Sequence, residues 1–219
     1  MKSMVPINKI GSKSRYYPQN LNEIKDRPKR FWARGNIKLL REEKLMTVVG
    51  SREMTSYGEK VVERLVPELV QAGWVIVSGM ALGVDAKVHQ ICLDNRGKTI
   101  AILAGGVEMP SPWSNRWLYQ RILDEGGLII SEYPPGITPD SQKFLARDRI
   151  MAGISQGVLV IEGSERSGTR VTARLAMEYG RDVGAVPGAI NAQNSWLPNW
   201  LIRNGAKLVE RGEDIVTSL

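Results

Sequence analysis

The chain has 219 residues, enough for one well-filled core with an appendage, and its 30 Lys and Arg against 23 Asp and Glu leave a formal charge of +7. That balance favours an anionic partner without identifying one, since housekeeping enzymes can be as basic. A single cysteine, Cys92, excludes an internal disulfide, no apolar run approaches the ~18 residues of a membrane span, and residues 1–15 lack an apolar signal core, so a soluble cytoplasmic protein is expected.

Residues 1–45 read as a lead-in packed on a main domain at 46–219. Tyr16, Tyr17, Leu21 and Ile24 are too few for a core of their own and are expected to anchor on the larger body. Arg27, Pro28, Lys29 and Arg30 before Phe31 and Trp32 form a basic run beside aromatics. Single-stranded nucleic acid is bound by such compositions, and a solvated connector is the plainer reading.

From Met46 strands and helices alternate. Residues 46–49 suit a short buried strand, Gly50 lets the chain turn without a Cβ clash, and Ser51 and Arg52 then reach the rim of a sheet, where helix N-termini offer N–H groups to anions. Val61, Val62, Leu65, Val66, Leu69 and Val70 recur at helical spacing over 57–72, with Pro67 expected to kink or shorten that helix. Gly73 caps it ahead of a strand at 74–77; a glycine-spaced turn at 78–85 leads into a helix reaching about Asn95, and a strand at 99–103 runs into Gly105 and Gly106. Helices at 117–123, 144–154 and 169–179 alternate with strands at 128–130, 158–161 and 183–186, and the tail at 196–204 and 214–217 closes the fold. Such alternation predicts an α/β protein with a doubly wound, mainly parallel sheet flanked by helices.

The chemistry is bounded by what is missing. There is no Gly-x-Gly-x-x-Gly after the first strand and no Walker motif, so no nucleotide cofactor is expected. His89 and Cys92, the only residues of their kinds, stand three apart in one helix and read as a packing pair, so no metal is expected either. A nucleophile with a histidine base is poorly supported. Glycine turns, hydroxyls and arginines remain, an inventory that binds phosphate and does not obviously break bonds.

In a parallel sheet Gly50–Arg52, the turn at 78–85, Gly105 and Gly106, Ser131 and Glu132, and the loop at 164–169 would converge on one rim as a cationic cradle, Arg52 taking one phosphate while Arg147 and Arg149 hold its neighbours. Phe144 is either a stacking face for a base or a core-side helix residue. Trp113 with Trp117, and Trp196 with Trp200, share the spacing of one helical face and read as core or subunit contacts. Asp85 reads as a helix N-cap, and Glu132 and Glu162 are the carboxylates a catalytic reading would use.

Val48–Arg52, 76–85 with His89, Ser131–Gly136, Phe144 with Arg147-Asp148-Arg149-Ile150, Gly153-Ile154-Ser155, Ser167-Gly168-Thr169 with Thr172-Ala173, Val186-Pro187-Gly188, and Leu201-Ile202 with Gly205-Ala206 resemble the DNA-processing protein DprA (Smf) family, in register from about Tyr16 to Glu210. The resemblance implies an extended Rossmann fold, non-catalytic binding of single-stranded DNA, delivery to a RecA-type recombinase in transformation or recombination, and a homodimer. It makes Gly50, Ser51 and Arg52 the phosphate pocket, sets Phe144, Arg147 and Arg149 along the strand path, and adds Ser167 and Thr169. Asp148 stands where the family usually has asparagine, which is expected to weaken that path. Arg170 replaces a usually apolar residue and would add a phosphate contact. A complete N-terminal helical domain and a C-terminal winged helix are missing from the pattern. The competing reading is a nucleotide-cleaving enzyme similar to LOG phosphoribohydrolases, using Glu132 or Glu162, but the Pro-Gly-Gly-x-Gly-Thr-x-x-Glu signature is absent from 163–169. A free nucleotide is a third occupant compatible with the same pocket.

Overall fold

The computed structural model describes residues 5–216. Nine strands form one sheet: β1 (Ile7–Gly11), β2 (Arg30–Gly35), β3 (Leu45–Val49), β4 (Val75–Ser78), β5 (Thr99–Leu103), β6 (Leu128–Ser131), β7 (Gly157–Val160), β8 (Asp182–Ala185) and β9 (Lys207–Leu208). Their order is β1-β2-β6-β5-β4-β3-β7-β8-β9. All pairings from β6 across to β9 are parallel, whereas β2 joins β6 and β1 joins β2 antiparallel. The doubly wound, mainly parallel sheet expected from the alternation is therefore present.

Helices cover both faces: α1 (Gln19–Asn22), α2 (Ser56–Gln71), α3 (Val84–Asp94), α4 (Arg116–Asp124), α5 (Ser141–Ile154), α6 (Thr169–Glu178), α7 (Trp196–Arg203) and α8 (Glu213–Val216). Side chains along β3 alternate between the faces. Met46 and Val48 pack with Val62, Leu65 and Leu69 of α2, and Leu45 and Val49 pack with Ile150 and Met151 of α5. Every residue of β3 is buried, so the strand reads in sequence as a continuous apolar run. Thr47 is its one polar residue, and its hydroxyl is satisfied by Met151 O at 2.8 Å and Ser155 Oγ at 2.7 Å. Of the closing helix expected at 214–217, Thr217 lies outside the described residues.

Three local expectations need correction. Pro67 does not shorten α2, which continues to Gln71 because Val66 and Leu69 on either side are buried in the core. Asp85 is not an N-cap: Gly83 holds that position with φ +73, and Asp85 lies in the first turn of α3. The N-terminal segment is also more regular than its composition suggested, since residues 7–11 and 30–35 are strands. Phe31 and Ala33 are fully buried while Arg30 is exposed, so the basic-aromatic run is an edge-side strand with period two.

That segment is stitched to the body by specific contacts. Tyr17 packs against Phe31 with ring centroids 5.6 Å apart and donates its hydroxyl to Pro28 O at 2.6 Å. Leu21 and Ile24 are buried over α5, where Gly153 makes room: a Cβ there would stand 2.8 Å from the Ile24 Cδ1. Phe31→Ala should cost about 3–5 kcal/mol and leave unfolding in urea a single transition by fluorescence and by circular dichroism. A separate early transition, or a loss under about 1 kcal/mol, would show that residues 7–35 fold apart from the sheet.

Candidate functional site

The chain leaves β3 towards β4, β5 and β6 on one side and returns to β7, β8 and β9 on the other. A crevice opens at the carboxyl ends of strands where the winding reverses, here between β3 and β7. A cavity of about 1060 Å³ lies at this point. Its walls come from the turn after β3 (Gly50, Ser51, Arg52, Glu53), the loops after β4, β7 and β8, the start of α2, the face of α5 bearing Ser141, Phe144, Leu145, Arg147 and Asp148, and the start of α6.

Close backbone packing shapes the floor. A Cβ on Gly50 would stand 2.7 Å from Val84 Cγ2, and one on Gly83 would stand 2.3 Å from Ser51 O. The β3 turn therefore sits directly on the start of α3, joined by Val84 N–H to Ser51 O at 3.1 Å. Among the described residues, the N–H groups of Ser51, Arg52 and Gly168 donate to no protein acceptor, and they border the cavity. Ser51 Oγ and Glu53 O are held by Asn194 Nδ2 at 3.3 and 2.8 Å, while Thr169 Oγ1 donates to Gly50 O at 3.1 Å. Asn194 carries no signal in the sequence, because nothing in a polar turn marks which side chain reaches back across more than a hundred residues.

Arg147 is buried. It donates from Nε to Asp148 Oδ1 at 2.9 Å and from a terminal nitrogen to Gly79 O at 2.8 Å, filling space that a Cβ on Gly79 would occupy. Asp85 completes the knot, accepting from Gly79 N at 3.2 Å and Ala81 N at 3.4 Å. Burial raises the carboxyl pKa of both Asp85 and Asp148, against the pull of Arg147, and that of Asp148 reaches about 6. Met80, between Gly79 and Ala81, takes the left-handed φ of +58 while fully buried, a strained loop held by the bonds around it.

Arg52 is exposed and forms no ion pair among the described residues; its guanidinium lies 5.4 Å from the Phe144 ring centroid, and that of Arg147 lies 5.5 Å from the same ring. Phe144 is half-buried, so it faces the cavity and is not a core-side residue. Arg166, exposed in the loop after β7, is the other uncommitted cation of the lining. The loop is recognisable in sequence from its glycine and serines, but nothing local marks its arginine as facing the cavity.

Two expected members stand elsewhere. Arg149 does not line the cavity: it is bound to Glu132 Oε1 at 2.7 Å, Ala146 O at 2.7 Å and Asp26 O at 2.9 Å, so it clamps the N-terminal segment to the loop after β6. Arg170 also lies outside the lining, over the rings of Trp196 and Trp200 at 5.8 and 5.0 Å. Those rings are stacked on each other, 6.1 Å apart and inclined by 6°. Ser167 is in the lining and accepts from Thr169 N at 3.3 Å, while Gly105, Gly106, Ser131 and Glu132 are not.

The lining is not uniformly cationic. Arg52, Arg147 and Arg166 face Glu53, Asp85, Asp148 and Glu162, so the cradle expected from the sequence needs correction. Position separates the two signs. Glu162 is buried, accepts the Thr55 N–H at 3.0 Å and the Thr55 hydroxyl, and so occupies the N-terminus of α2 that an external anion would otherwise use. Asp85 and Asp148 are committed to Arg147 and backbone, which leaves Arg52 and Arg166 as the cations of the mouth. His89 and Cys92 are buried beneath: burial pushes the imidazole down to about 3 and the thiol up to about 12, and His89 Nδ1 bonds Thr99 Oγ1 at 2.6 Å.

The family model described as DNA recombination-mediator protein A matches residues 8–219. The chain is 39% identical over 213 residues to the DNA processing protein DprA of Bacillus subtilis, covering 97% of this chain and 71% of that one. Its structure superposes on that of DNA processing protein A from Streptococcus pneumoniae with a TM-score of 0.91 at 40% identity, covering 98% and 74% of the two chains. It superposes with a TM-score of 0.87 at 28% identity on DNA processing protein A from Helicobacter pylori, whose structure describes a single-stranded DNA binding mode, covering 100% and 97%.

Because burial raises the Asp148 carboxyl to about 6 in the folded chain, its contribution to stability is greatest below the ordinary carboxylate value of about 4 and is lost as pH rises through about 6. Asp148→Asn keeps a carbonyl acceptor for Arg147 and removes this dependence. Urea midpoints at pH 4.5 and 7.5 should therefore show the variant gaining on the parent by roughly 2 kcal/mol at the higher pH. A pH-independent difference would mean that Asp148 does not titrate in that range.

Proposed function

The chain belongs to the DNA recombination-mediator protein A family, and on that premise we propose that its cavity grips the backbone of single-stranded DNA without regard to sequence and without cleaving it. The observation that carries this reading is the pairing of two uncommitted arginines, Arg52 and Arg166, with unbonded N–H groups of Ser51, Arg52 and Gly168 in one crevice. Phosphate oxygens take N–H and guanidinium donors and carry no base information, so the contact positions the strand without reading it. Phe144 holds Arg52 in the mouth through its ring face and, with exposed Leu145 beside it, offers an apolar wall to a base. At about 1060 Å³ the cavity is at the large end of the range for small-ligand sites, which favours a polymer segment over a single nucleotide.

Arg147 and Arg149 serve this grip from behind, Arg147 by setting Phe144 and the loop after β4, Arg149 by fastening α5 to its surroundings. Ser167 and Thr169 hold the facing loop. Residues 46–219 are the binding unit and residues 1–45 a lead-in that braces it. Glu132 and Glu162, the carboxylates of the enzymatic alternative, are each bound by protein groups, which favours binding over hydrolysis. The family reading adds protection of the strand or its delivery to a RecA-type recombinase in transformation or recombination, a homodimer, and action in the cytoplasm. Among the described residues no helix is long and apolar enough to cross a membrane.

Binding of a ~30-mer should weaken with salt along a log–log slope of about −0.7 per phosphate neutralised. Arg52→Ala and Arg166→Ala should each weaken binding about tenfold and shallow the slope by about 0.7, whereas Arg170→Ala should leave the slope unchanged. Parallel incubation with nucleoside monophosphates should release no base. Full binding by Arg52→Ala, or turnover that Glu162→Gln abolishes, would overturn the assignment.

A further inference from the structure

Outside the cavity, the strongest unexplained feature is a pair of tryptophans. Trp113 is 66% exposed and Trp117 is 50% exposed, although the opposite face of α4 buries Leu118, Tyr119, Ile122 and Leu123 in the core. Of the core or subunit contact expected from the sequence, the core alternative does not hold, since neither ring lies in the interior. Two large aromatics left in water on one short stretch mark a binding surface.

Their surroundings favour one occupant. Arg116 lies between them in sequence, is exposed, has no carboxylate within ion-pair distance among the described residues, and holds its guanidinium 5.7 Å from the Trp113 ring centroid. Aromatic faces interleaved with an unpaired guanidinium suit a nucleic acid strand, which offers a π-face from every base and a phosphate between successive bases. The pair is also continuous with the cavity. Asn115, buried between the two tryptophans, donates to Met80 O at 2.9 Å and to Ala81 O at 3.3 Å, and Ala81 is part of the cavity lining. Leu82, which follows Ala81 in the chain, is 48% exposed.

We propose that Trp113 and Trp117, with Arg116, form a stacking ledge that takes the bases of single-stranded DNA as the strand leaves the cavity past Ala81 and Leu82. This rests on the cavity being the DNA grip. Loop geometry fixes the ledge: Asn115 ties it to the strained turn at Met80, so ledge and cavity keep a constant spacing. The ledge adds length-dependent affinity that is indifferent to base identity, because stacking accepts any base.

The test uses the full chain, oligothymidylates of graded length, and the variants Trp113→Ala/Trp117→Ala, Trp113→Phe/Trp117→Phe and Arg52→Ala. The alanine pair should bind a short oligomer that fills only the cavity as the parent does, yet lose roughly ten- to a hundred-fold in affinity for a ~20-mer. The phenylalanine pair should recover much of that loss, and quenching of tryptophan fluorescence by the ~20-mer should be large in the parent and small in both double variants. Equal binding of the ~20-mer by parent and alanine pair, in a protein that still responds to Arg52→Ala, overturns the ledge alone. Absence of binding by the parent, or indifference to Arg52→Ala, overturns the cavity grip and the ledge with it. A change from dimer to monomer in the alanine pair by sedimentation, with DNA affinity unaltered, assigns the tryptophans to contact between copies and likewise overturns the ledge.

Discussion

The burial of Arg147 is the constraint on which the rest of the site depends. A guanidinium withdrawn from water is tolerated only where acceptors meet it, and here Asp148 and the Gly79 carbonyl do so, with the charge of Asp85 nearby. Those partners belong to α5, to the end of β4 and to α3, so one side chain fixes the relative placement of three walls. Its contact with Phe144 extends that order to the mouth, where the same ring steadies Arg52. A cation spent on internal order thereby positions one that remains free.

The same division governs the helix N-termini. An open parallel sheet ordinarily presents its helix starts to an anion at the crevice, but α2 has its start occupied by Glu162, for which Gly58 leaves space: a Cβ there would stand 2.2 Å from the carboxylate. An internal carboxylate at that position removes the most obvious phosphate site of the fold. What is left for an external anion is shifted outward to the turn at Ser51 and Arg52 and across to Gly168 and Arg166.

Much of this was legible in the sequence, for identifiable reasons. The strands from β3 to β7 are short, fully buried runs with glycine at or near an end, and a buried parallel strand has little else to show. Gly50, Ser51 and Arg52 could be placed because turn and strand-end chemistry are local, whereas helical periodicity left Phe144 open between the cavity and the core. Arg149 and Arg170 could not be told from Arg52, since an arginine's use depends on which acceptor or ring lies within reach: Glu132 is 17 residues away for one, and Trp200 is 30 away for the other. The edge-side strands at 7–11 and 30–35 were masked by charges on their outward positions, which composition weighs equally with the inward Phe31 and Ala33. Asn194 gave no signal of its own, because its role consists of closing a loop over a distant turn.

Asp148 shows how a substitution that looks adverse in sequence acquires a different meaning in three dimensions. Placed between two arginines, it reads as a negative charge on the strand path. In the fold those arginines point apart, Arg149 towards Glu132 and Asp26 and Arg147 inward. Asp148 follows Arg147, so its charge is met by a guanidinium at 2.9 Å and lies beneath the mouth, not across it. What Asp148 alters is the balance of a knot holding one cation and two carboxylates, and so the rigidity with which Phe144 and the loop after β4 are presented. The exposed cations of the mouth stand one layer further out, at Arg52 and Arg166.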